Sequence, residues 1–90
     1  MNDKRTEPRI PLMARVDVLW EDEEGNPRVA PGTLEDKSFG GVCIRMQAPI
    51  QAGLNLTIKW GSEQFSGTVT NCRRDRQAYV LGVQRHSGAE

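Results

Sequence analysis

The chain has no surplus of either charge: twelve Lys and Arg balance twelve Asp and Glu over 90 residues. Zero net charge argues against a general nucleic-acid binder, which carries a basic excess. No apolar run is long enough to cross a bilayer, and the charged first residues do not read as a secretory signal. Cysteine is scarce. Cys43 and Cys72 are too few for a disulfide-built secreted scaffold, and both are expected to be reduced thiols on a cytoplasmic protein. One histidine, His86, and no Cys-x-x-Cys argue against a zinc site. There is no nucleophile–base pair and no phosphate loop, so the sequence points away from an enzyme. A chain of this length makes one domain with a small core.

What the chain does have is a period of two. Leu12, Ala14, Val16, Val18 and Trp20 alternate with Met13, Arg15, Asp17 and Leu19, as in a half-buried strand. The acidic turn EDEEGNP follows. A short run from Gly32 to Lys37 leads to Val42, Ile44 and Met46, which alternate with polar neighbours. APIQAG breaks the pattern. Leu54, Leu56, Ile58 and Trp60 form the cleanest strand, and Phe65, Gly67 and Val69 begin another. RRDRQ reads as a charged hairpin tip before Tyr79, Leu81 and Val83. No window supports a long amphipathic helix. Six antiparallel strands, each with one apolar face, predict a small closed β-barrel. The divisions are a flexible arm over 1–11, the barrel over 12–85 and a disordered tail over 86–90. Both cysteines fall on the outward parity, and His86 falls in the tail, where it is expected to fray.

Two stretches carry candidate chemistry. RTEPR places Arg5 and Arg9 four residues apart, within a basic amino terminus that also holds Lys4 and Arg15. Pro8 and Pro11 push the residues before them out of helical geometry, so the segment is an extended arm. Its two guanidiniums then stand about 13 Å apart. That spacing suits a ligand whose acceptors are spread over a nucleotide or dinucleotide. Arginine forks onto phosphate oxygens, matches guanine O6 and N7, and stacks on a purine. The second stretch, EDKSFGGV, sets Asp36, Ser38 and Gly41 in the pattern D-x-S-x-x-G. Asp36 can accept from the two N–H groups of a guanine edge, and Ser38 can donate or accept. Gly40 and Gly41 are free to take positive φ. The same residues also suit a plain hairpin turn.

Taken together, the arginine arm and D-x-S-x-x-G resemble the PilZ domain family, small antiparallel β-barrels that bind the bacterial second messenger cyclic di-GMP. The resemblance covers nearly the whole chain and includes RTEPR, DKSFGG and the last strand, YVLGVQR. It implies that Arg5 and Arg9 wrap the ligand, that Asp36 and Ser38 hold a guanine, and that Gly41 keeps the loop open. Lys4 stands where arginine favours an intercalated ligand pair in the family, so stoichiometry stays open. Arg85 occupies a slot that is aromatic in many members, at an expected cost in core packing. The resemblance further implies an arm that orders on ligand binding and signals to a protein partner, with no cofactor. The other reading is a PilZ-like adaptor that binds proteins and no nucleotide. A nucleic-acid barrel would need aromatics on an exposed strand face; Trp20, Trp60, Phe65 and Tyr79 all fall on the apolar parity instead.

Overall fold

A computed structural model describes residues 10–38 and 40–86, with the backbone alone for 10–12, 37 and 38. Six strands account for most of it: β1 (Ile10–Glu21), β2 (Pro27–Ser38), β3 (Gly41–Met46), β4 (Asn55–Trp60), β5 (Glu63–Asp75) and β6 (Ala78–Arg85). All neighbours are antiparallel, and the order β1-β2-β3-β6-β5-β4 closes on itself through β1 and β4. No helix occurs among the described residues.

Closure follows from the alternation. Val16, Val18, Leu34, Ile44, Ile58 and Leu81 are at most 2% exposed and meet at the barrel axis. Burying each such side chain contributes roughly 1.5–3 kcal/mol. The expected inward positions on β3, on β4 and on β1 from Ala14 onward are the observed ones; the Leu12 side chain lies outside the described residues. Trp20, Trp60 and Phe65 pack partly buried against this cluster. Ile50, in the segment that breaks the alternation, is 1% exposed and joins the core from a loop. Periodicity gives no signal for a single plug of this kind.

Two strands depart from the sequence reading. β2 runs for twelve residues, not six. Its first half, Pro27–Pro31, pairs with β1 alone, and the pairing with β3 begins at Gly32. Two prolines obscured the strand in the sequence, yet an edge is where a strand tolerates a missing donor. β5 likewise extends through Arg73, Arg74 and Asp75, so the hairpin tip shrinks to Arg76 and Gln77. Arg76 takes φ +63° there. The β1–β2 turn is as read: the Asp22 carboxylate accepts from the amides of Glu24 and Asn26, both at 2.9 Å, and Gly25 takes φ +83°.

Bulges re-phase the wall. Pro11 pairs with Asp36 and Ala14 with Leu34, so Leu12 and Met13 together face Glu35. Met13 takes φ +58° and is 68% exposed. Glu35 is itself the extra residue against β3, where Leu34 pairs with Ile44 and Asp36 with Cys43. On β5 the register slips at Thr70, between Val69 and Asn71. An extra residue turns every later side chain to the opposite face. Cys72 therefore points inward and packs partly buried against the core, contrary to its expected outward parity.

The carboxyl-terminal end is also better fixed than expected as far as His86. Its amide donates to the Ser66 carbonyl at 2.9 Å, and its Nε2 lies 2.7 Å from Thr68 Oγ1. Thr68 Oγ1 in turn donates to Asn55 Oδ1 at 2.8 Å. These partners lie on β4 and β5, while His86 follows the end of β6, and no strand period reports them. Arg85 fills its unusual slot by lying over the Phe65 ring, 4.6 Å from the centroid. Residues 87–90 lie outside the described residues.

Candidate ligand-binding face

Ladder partners share a face, so the register assigns the outer wall. One row crosses four strands as Asp36, Cys43, Gly82 and Asn71. Toward one side lies the row Gly41, Gln84 and Thr68, with Ser38 opposite Gly41 in the ladder. Toward the other lies Arg45, Val80 and Arg73. At about 4.8 Å per strand, the first row is about 14 Å long.

The sequence candidates on the barrel therefore occupy one face. Asp36, half-buried, and Gly41 stand on neighbouring strands at its β2–β3 corner. The backbone at Ser38 belongs to the same corner, and its side chain lies outside the description. Arg5, Arg9 and Lys4 lie outside the described residues. Their point of departure is nevertheless fixed: Ile10 pairs with Lys37 and Pro11 with Asp36, so β1 leaves the barrel beside D-x-S-x-x-G. This also draws Ile10 and Pro11 into β1, whereas the expected arm ran to residue 11.

Gly41 is required for a different reason from the expected one. Neither Gly40 nor Gly41 is among the positive-φ residues. A Cβ on Gly41 would lie 2.7 Å from the Val83 carbonyl oxygen on β6. The glycine lets β3 approach the β6 backbone closely, with no flexible group there to yield.

Behind the corner lies a groove of about 450 Å³. Its floor includes Gly41 and Gly82, which present backbone in place of side chains, and Cys43, Asn71, Arg73 and Gln84 border it. Neither cysteine is in a disulfide. Periodicity does not report the β5 part of this face, since the Thr70 bulge decides which β5 residues turn outward.

An ion-pair relay stiffens one margin. Arg45 Nε donates to Glu35 at 2.6 Å and its Nη2 to Asp75 at 2.9 Å, tying β2 and β3 to the β5 end. These bonds raise the Arg45 pKa, that from Glu35 foremost. The hydrogen bond from Arg45 is the main cause holding the Asp75 carboxyl below its ordinary value. Asp22 is lowered too, chiefly by the Asn26 amide. A carboxyl depressed in the folded state contributes stability above its unfolded pKa and loses it as pH falls through the folded value. The melting temperature should therefore hold steady down to about pH 4 and then drop, with Asp75→Asn showing a shallower acid limb. Thermal melts across pH 2–7 check this; equal acid limbs would count against it.

Among the described residues no group of three His, Cys, Asp or Glu side chains is placed to hold a metal ion.

The interior is filled by side chains and the grouped polar residues lie outside, which defines a small closed barrel with its candidate site on the outer wall. The chain belongs to the PilZ domain family, whose model matches residues 3–89. Among solved structures it is similar to the PilZ domain with c-di-GMP of YcgR from Escherichia coli, at 13% identity and a TM-score of 0.67. That alignment covers 97% of this chain and 81% of the other, and the likeness is one of fold. No curated protein matches the chain.

Proposed function

We propose that this chain is a cyclic di-GMP receptor that works in the cytoplasm by binding, without catalysis or a cofactor. The observation that carries the reading is the register at the start of β1. Ile10 pairs with Lys37, which stands between Asp36 and Ser38. The chain bearing R-x-x-x-R thus leaves the barrel at D-x-S-x-x-G, with the groove alongside. Family membership supports the ligand, as does the similar YcgR domain, whose structure includes c-di-GMP.

In this mechanism Arg5 and Arg9 fork onto the phosphates and stack on or fork to guanine. Asp36 and Ser38 hold a guanine edge from the barrel. Lys4 adds charge without a planar face. The arm is poor in apolar residues, and the ligand orders it against the barrel. Charge-assisted bonds offset the entropy lost by about seven residues, at roughly 1–2 kcal/mol each. The closed arm then forms a surface for a protein partner.

Calorimetric titration of the folded chain with cyclic di-GMP tests the reading. The wild type should bind, and Arg9→Ala should weaken binding by about tenfold or more, the scale of a lost bidentate contact. Unchanged affinity in Arg9→Ala would refute the arm model. No heat and no spectral change with the wild type would leave the protein-binding adaptor as the better reading.

A further inference from the structure

We propose that Arg73 is a third ligand-gripping arginine, supplied by β5 from the wall of the groove opposite D-x-S-x-x-G. The inference rests on the cyclic di-GMP reading and extends the site beyond the two sequence motifs.

The cations around the groove differ in availability. Arg45 is committed to Glu35 and Asp75. Arg74 lies on the opposite parity, over the Tyr79 ring at 5.9 Å, and donates to the Arg76 carbonyl. Arg73 is exposed, borders the groove, and makes no ion pair within 4 Å among the described residues. It faces the groove because the Thr70 bulge sets the β5 phase, and Val80, between Arg45 and Arg73 in the ladder, is 3% exposed beneath them.

The groove floor favours a flat ligand group. Gly41 and Gly82 add no side chain of their own there, and the Asn71 amide, which lies against Gly82, supplies donors and acceptors together with Gln84. A planar base or a phosphodiester reaching across from Asp36 meets the Arg73 guanidinium on the far wall. That fork matches a pair of acceptors, either two phosphate oxygens or guanine O6 and N7.

The test is titration of the full chain with cyclic di-GMP, comparing wild type, Arg73→Ala, Arg73→Lys and Gly82→Ala. Arg73→Ala should lose about tenfold in affinity with an unchanged melting temperature. Arg73→Lys should recover only part of that loss, since lysine keeps the charge and lacks the fork. A Cβ at Gly82 would meet the Asn71 amide nitrogen at 2.8 Å and Thr70 Oγ1 at 3.1 Å. The Asn71 amide can swing into the groove, whereas Thr70 Oγ1 is held by its bond to the Gly82 carbonyl at 3.0 Å, so Gly82→Ala should bind more weakly and melt somewhat lower. Repeating the titrations at rising salt separates the two acceptors: a shallower salt slope in Arg73→Ala marks a phosphate, and an unchanged slope marks the base. Wild-type affinity in Arg73→Ala, or full recovery by lysine, overturns the proposal while leaving the receptor reading intact. A wild type that does not bind overturns both.

Discussion

Ile44→Ala should cost about 2–5 kcal/mol of folding stability, the range for truncating a fully buried Ile or Leu. Ile44 is 0% exposed and lies between Leu34 and Leu81 in the ladder, both also 0% exposed. Its neighbours belong to a closed ring of strands and cannot collapse into the gap without breaking register, which places the effect toward the upper end. For a domain this small the melting temperature should fall by about 10 °C or more. Val29→Ala is the control: Val29 is 66% exposed, and its loss should stay within about 0.5 kcal/mol. Thermal and urea melts decide the matter; a small effect at Ile44 would mean that the interior is loosely packed.

Asp36→Ala should weaken cyclic di-GMP binding by about 1–3 kcal/mol, the worth of a good base-edge contact. Asp36 is half-buried and is held by the ladder on both sides, with Pro11 as one partner and Cys43 as the other. The backbone under this side chain is fixed before binding, so only side-chain freedom is lost when the contact forms. Asp36→Asn should keep part of the affinity, because its carbonyl still accepts one hydrogen bond. Equal affinity in wild type and Asp36→Ala, measured on folded protein, would exclude Asp36 from the site.

The sequence made some of this legible and hid the rest for identifiable reasons. Alternation located β1, β3, β4 and β6 and, from Ala14 onward, the inward residues it named on them, since one buried face forces a period of two. It failed where the period itself changed. Cys72 turns inward because of one extra residue at Thr70, and β2 begins earlier than Gly32 because Pro27, part of the turn motif, and Pro31 both sit on an edge where a missing donor is tolerated. Ile50 and His86 act through single contacts outside any repeat. In the candidate site, the spacing of Asp36, Ser38 and Gly41 was visible because all three lie within one turn of sequence. Arg73 was not, since the ladder alone brings β5 to that face.

The three register slips at Leu12–Met13, Glu35 and Thr70 lie on strands that border the candidate face. Inserting or deleting a residue at these points would rotate which groups look out over the groove, while Leu34, Ile44 and Leu81 kept their places inside. That side of the wall can thus be retuned for another guest without redesigning the oily centre. The β4 side, whose pairings with β1 and β5 run without a slip, offers no comparable freedom.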